Sequence, residues 1–203
     1  IHILANLVPN DFIRLIFSFY NPVLPDTAEL WNPNFKPWQI ITYMFLHSRD
    51  TFMHLFSNMF ALLIFGPAIE AYMGSGRFLK YYIICGIGAA FFNMGMDYIQ
   101  FFQSSQSDAQ LQFLAIKSML GASGAIFGIL VAFAILFPNI EMMLLFFPVP
   151  IKAKYFVALY AVFEIVQAFG RTSSGIAHWA HIGGLITGFI LLQFFHFKKR
   201  NFY

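Results

Sequence analysis

Apolar residues run through this chain in long uninterrupted stretches, with no sign of the alternation expected of a membrane barrel strand. Five stretches are judged against the roughly 20 residues that about 30 Å of hydrocarbon demands. They cover about Thr51 to Tyr72, Phe78 to Phe102, Ser118 to Phe137, Tyr155 to Gly170 and Gly175 to Phe197. The fourth is short and contains Glu164, so its limits are the least sharply drawn. Backbone groups in lipid must be satisfied within the segment, so each stretch is expected to be a helix. Residues 1–50 do not form a clean span: Pro9, Asn10, Asp11 and Arg14 interrupt the apolar character, and Asn21, Pro22, Pro25, Pro33 and Pro37 make the stretch from 21 to 37 turn-rich. Phe12 to Tyr20, aromatic with a single charge, suits a segment lying at a membrane interface. IHILANLV at the start resembles the end of an apolar helix. The pattern therefore predicts one all-α, polytopic membrane domain over 1–203, with a six-span core whose first span is mostly absent here.

Composition agrees. Of 203 residues, 59% are hydrophobic and only 10% charged, against about a quarter charged in soluble domains. The net charge of +3 does not point to nucleic acid, because the basic residues are scattered or flank apolar runs. If Lys198 to Arg200 are cytoplasmic, Arg77, Lys80, Lys152 and Lys154 share that side, leaving Lys36, Arg49, Lys117 and Arg171 outside. The excess of positive charge supports that orientation and fits a bacterial inner membrane. The one cysteine, Cys85, lies within an apolar run and excludes an intrachain disulfide.

On this topology the first, third and fifth stretches run the same way, from outside to inside. At 1.5 Å per residue, His54 lies about 6 Å below Asp50, Ser123 about 9 Å below Lys117, and His181 about 9 Å below Gly175. Three helices thus deliver ionisable or nucleophilic side chains to one layer. Ionisable residues at such depth face a bundle interior or a water-filled cavity. His54 and Asn58 are four apart and share a helix face. Gly124, Gly128 and Ala132 form a small-residue stripe, and His181, Gly184 and Gly188 form another. Such stripes let two helices approach closely, which would bring His181 to Ser123.

A serine hydroxyl needs an adjacent base, and histidine is the usual one. The Ser123 amide, at the positive end of its helix, together with His54 and Asn58 can face a developing oxyanion. Phe127, one turn below Ser123, can stack on the imidazole. No carboxylate at this depth presents itself as a third member, so a Ser123–His181 dyad is expected. Taken alone, Ser123 would be a packing serine; His54, Asn58 and His181 together change that. His178 is read as a cavity-mouth residue, His47 as a loop hydrogen-bonder, and Asp97 and Glu164 as solvated or snorkelling groups near helix ends. Glu70, about 24 Å along its helix from His54, cannot join a metal site with it. No HExxH pattern is present, so no metal and no cofactor are expected.

Three motifs in order, His54-x3-Asn58, Gly121-Ala122-Ser123-Gly124 and Ala180-His181-x2-Gly184-x3-Gly188, resemble the rhomboid family of intramembrane serine proteases. So does Glu70 followed by Gly74-Ser75-Gly76-Arg77, which looks like the family's short cytoplasmic turn. The similarity covers roughly residues 36–195. It implies a cavity open to the outer side, Ser123 as nucleophile and His181 as general base and acid. It also implies an oxyanion site of His54, Asn58 and the Ser123 amide beside Gly121, and a structural Glu70. The segment Tyr155 to Gly170 resembles the lateral gate, and the loop from Arg171 to Gly175 the cap. Substrates implied are membrane-anchored proteins cleaved near the outer face. Trp38-Gln39 stands where many bacterial members have Trp-Arg, and Phe127 where some have tyrosine. The competing expectations are a catalytically silent relative that binds membrane clients, which should lack serine or base, and a channel or transporter, which should show paired broken helices and an internal repeat.

Overall fold

The structure, a computed structural model, describes residues 10–25, 31–47, 52–104, 106–144, 147–170 and 177–194. The N-terminal residues expected to end a first span, the segment Arg171 to Gly175 expected to be a cap, and the basic Lys198 to Arg200 lie outside the described residues.

Long apolar runs become helices, as their backbone demands. Helix α1 (Asn10–Phe17) leads to a two-residue strand β1 (Phe19–Tyr20) and a short α2 (Gln39–Thr42), followed by one 3-10 turn, Tyr43–Phe45. Helices α3 (Phe52–Met73) and α4 (Ser75–Gln103) come next, 22 and 29 residues long. At 1.5 Å per residue they measure about 33 and 44 Å, enough to cross a bilayer. Only Gly74 separates them. Its φ of +82° is open to glycine at little cost, and its N–H closes the end of α3 on the Glu70 carbonyl at 2.7 Å. Glu70 thus sits in the last turn of α3, at the end away from His54.

Helix α5 (Asp108–Ile116) starts with a capping box in which Ser107 and Gln110 bond reciprocally. Strand β2 (Ser118–Met119) pairs antiparallel with β1, and α6 (Ser123–Leu136) comes after it. A hairpin of β3 (Glu141–Leu144) and β4 (Phe147–Lys152) leads into α7 (Ala153–Phe169), and α8 (His178–Phe194) ends the described chain. Within the stretch expected as a third span, Ser118 to Phe137, the helix runs only from Ser123 to Leu136; Ser118–Met119 are strand, and Ala122 caps the helix. At 14 residues, α6 is about 21 Å long.

Helix α6 is the hub, packed against α3, α4, α7 and α8. It is apolar all round, and nearly every residue from Gly124 to Phe133 is buried, as a core helix should be. Outward, α3 exposes Phe52, Phe56, Phe60 and Leu63, and α7 exposes Leu159, Val162 and Val166. Water would penalise such a girdle, whereas lipid accommodates it.

The turn-rich N-terminal region is tied down by side chains bonding to backbone. Gln39, fully buried, donates to the carbonyls of Leu15 and Asn34 and accepts from the Lys36 N–H. Trp38 Nε1 donates to the Ile16 carbonyl. The Trp38-Gln39 pair is therefore an anchor of this layer. Asp97, expected to be solvated, is buried instead, because three donors converge on it. Asn21 and Asn93 donate to Oδ2 at 3.2 and 3.1 Å, and Lys117 Nζ lies 2.6 Å from Oδ1. That cluster ties the N-terminal layer to α4 and to the segment entering β2.

Candidate active site

The site grows from the start of α6. Shortly after β2 comes Gly121, whose φ of +118° lies where side-chain-bearing residues are strained. The Gly121 N–H is held by the Tyr43 carbonyl at 3.0 Å, and α6 begins two residues later. Ser123 therefore occupies the first turn, where helix N–H groups lack intrahelical partners and the dipole is positive. Between Lys117 and Ser123 the chain is not helix: it passes through β2 and the turn at Gly121 before α6 starts.

Glycines bring α8 against this turn. A methyl group built on Gly184 would fall inside contact distance of the Gly124 carbonyl oxygen, and one on Gly188 would lie 2.9 Å from Gly128 Cα. The two small-residue stripes face each other, as their spacing predicts. His181, buried on α8, places Nε2 2.8 Å from Ser123 Oγ. Phe127, one turn along α6 from Ser123, stacks on the His181 ring with centroids 4.3 Å apart and planes at 15°. Tyr160 of α7 backs Phe127 at 4.9 Å.

On the other side of the serine, α3 brings His54 over Gly121. A methyl built there would lie 2.9 Å from His54 Nε2 and 3.9 Å from Ser123 Oγ. The His47 ring meets His54 at 5.5 Å, so His47 packs against the site from its loop. Asn58 is buried, and its amide donates to the His54 carbonyl at 2.9 Å. Ser123, His181, Phe127, His54 and Gly121 are thus gathered in one place, with Asn58 one turn along α3 from His54. Glu70 is not among them.

The expectation of no acidic partner is overturned by geometry. Glu164 of α7, 2% exposed, sets Oε2 2.9 Å from His181 Nδ1 and 2.6 Å from His178 Nδ1. It does not snorkel, because two imidazoles on α8 supply the partners that water would otherwise give. Glu164 is six residues before Gly170, about 9 Å, the same depth assigned to His181, but depth alone does not show that two imidazoles of the neighbouring helix meet it. His178 is buried as well, and it lines a cavity of about 850 Å³ together with Asn93, Asp97, Lys117 and Gln167. That cavity reaches His178 and does not include Ser123.

Among the described residues, the ligand-type atoms of Glu164, His178 and His181 lie within 4.8 Å of one another. The two carboxylate–imidazole separations are those of hydrogen bonds. Ligands held at 2.0–2.1 Å around tetrahedral zinc would sit about 3.3 Å apart.

The profile of the rhomboid domain matches residues 34–198. The chain is similar to rhomboid protease AarA of Providencia stuartii, 32% identical over 160 residues, covering 76% of this chain and 54% of that protein. It is similar to the putative rhomboid protease YdcA of Bacillus subtilis, 31% identical over 185 residues, covering 87% and 77%. The mitochondrial Rhomboid protein 1 of Saccharomyces cerevisiae is 31% identical over 142 residues, covering 70% and 37%. The chain spans about half the length of the first of these and a little over a third of the last. With the domain profile covering most of the chain, on a helical bundle that carries a Ser–His pair at its centre, this integral membrane protein belongs to the rhomboid family.

Proposed function

We propose that this protein is an intramembrane serine endopeptidase that hydrolyses peptide bonds of membrane-anchored proteins. The observation that carries the reading is the 2.8 Å approach of His181 Nε2 to Ser123 Oγ at the start of a buried helix. Ser123 Oγ attacks the scissile carbonyl carbon while its proton passes to His181 Nε2. The C–O bond forms and the carbonyl electrons move to oxygen. That oxyanion faces the unpaired N–H groups of the first α6 turn, the His54 imidazole and the Asn58 amide. Collapse breaks the C–N bond, and the proton on His181 goes to the leaving amine. A water, deprotonated by the same Nε2, then attacks the acyl carbon; the acyl C–Oγ bond breaks, and His181 returns the proton to Ser123 Oγ. Phe127 keeps the ring in plane through both steps.

Orientation is set by the positive residues: Lys198 to Arg200 toward the cytoplasm, the Ser123 end of α6 toward the outer side, in a bacterial inner membrane. Helix α7, apolar on its outward face and packed more lightly than α4 or α8 against the hub, is the side by which a substrate segment enters. The silent-relative reading requires loss of serine or base, and both are in place.

A fluorophosphonate probe tests the assignment. Wild-type protein should be labelled covalently at Ser123, and Ser123→Ala and His181→Ala should each abolish both labelling and cleavage of a membrane-anchored reporter at normal expression. Normal cleavage by either variant would overturn the reading.

A further inference from the structure

We propose that Glu164 is the positioning residue of the reacting histidine, so that the chain of groups is Ser123–His181–Glu164 with His178 as a second donor to the same carboxylate oxygen. This rests on the proposed Ser–His chemistry and extends it to a residue on a third helix.

A carboxylate within an apolar helix is expensive unless its charge is met by donors. Both donors here are Nδ1 atoms, and both reach one oxygen, Oε2. An ionised carboxylate only accepts, so each ring presents Nδ1–H to it. For His181 this fixes the tautomer: Nε2 is left bare and lies 2.8 Å from the Ser123 hydroxyl. The alternative tautomer, with the proton on Nε2, could not take the serine proton. Phe127 fixes the plane of the ring, but stacking is indifferent to which nitrogen is protonated. Glu164 supplies what Phe127 cannot.

Charge gives a second reason. When His181 accepts the serine proton it becomes an imidazolium in a buried, weakly screening site. A carboxylate 2.9 Å from Nδ1 offsets that charge where it develops. His178, edge-on to His181 with ring centroids 6.1 Å apart, shares the oxygen and holds it in place. A glutamate needed only to tie α7 to α8 could sit anywhere along their contact; this one is behind the reacting imidazole.

The test uses the full chain in detergent and in lipid vesicles. Glu164→Gln keeps size and an acceptor oxygen but removes the charge and the acceptor-only character. The expected result is a drop of about 10- to 10⁴-fold in kcat and in the rate of fluorophosphonate labelling, with KM for a membrane-anchored reporter and the thermal midpoint little changed. A folded Glu164→Gln protein labelled at the wild-type rate would overturn the proposal. Should that variant fail to fold, nitrogen NMR of ¹⁵N-histidine in the wild-type chain decides. His181 protonated on Nδ1 and bare on Nε2 supports the assignment, and the reverse tautomer overturns it. If wild-type Ser123 is not labelled at all, the protease reading fails, while the NMR tautomer still judges the Glu164–His181 contact separately.

Discussion

Asn58 shows how much a single side chain can be asked to do. Its amide has two N–H groups, and the bond to the His54 carbonyl uses one of them. On the proposed mechanism, the other would meet the oxyanion formed at Ser123. Asn58→Ala should therefore lower kcat, by at most the ~10²- to 10³-fold that loss of one oxyanion donor costs, because the helix N–H groups and His54 remain. Stability should change by only about 0.5–1.5 kcal/mol, since the His54 carbonyl is already within a helix. Steady-state kinetics with a membrane-anchored reporter checks this, and an unchanged kcat would remove Asn58 from the oxyanion site. At this scale the candidates on stretches running the same way were legible as residue types: His181 lies beside Ser123 and under the Phe127 ring, and His54 lies over Gly121, although the descent to Ser123 is not the helix that the depth count assumed. Glu164 escaped because its stretch runs in the opposite direction, and a carboxylate near a helix end is solvated by default. Nothing in local sequence tells a snorkelling glutamate from one met by two imidazoles of the next helix.

Among the elements, the contact of α6 with α8 sets the distance between nucleophile and base. There is no room at Gly184 for even one methyl group against the Gly124 carbonyl. Gly184→Ala should push the helices apart, with the ~1–3 kcal/mol penalty of overpacking. Because Ser123 rides on one helix and His181 on the other, labelling of Ser123 should fall as well. Thermal unfolding in detergent and labelling rate measure the two effects, and a variant unchanged in both would show that the stripes do not hold the pair. The small-residue stripes were readable because a spacing of four is a property of the helix itself. The start of α6 was not. Ser118 to Ala122 carries no charge and, like the helix after it, mixes small and apolar residues, and hydropathy does not separate extended chain from helix. The turn at Gly121 depends on a backbone angle and on the distant Tyr43 carbonyl.

For the whole molecule, the N-terminal layer and the bundle meet at Asp97. Removing the carboxylate in Asp97→Ala strands the amides of Asn21 and Asn93, while Lys117, about a third exposed, can return to water. A loss of about 1–3 kcal/mol is expected, below that of a fully buried pair. It should appear as a lower thermal midpoint with wild-type labelling of Ser123 at low temperature; loss of labelling in the folded variant would show that the layer also shapes the site. At the opposite end of the accessibility scale is Cys85, fully buried in α4, its Sγ filling the space that a side chain on Gly128 of α6 would need. It is the chain's sole thiol. Folded protein therefore presents nothing to a maleimide, and each molecule that becomes alkylated has parted α4 from the hub helix. The chain carries its own clock for core opening, and a cysteine introduced anywhere on its surface would be modified against a silent background.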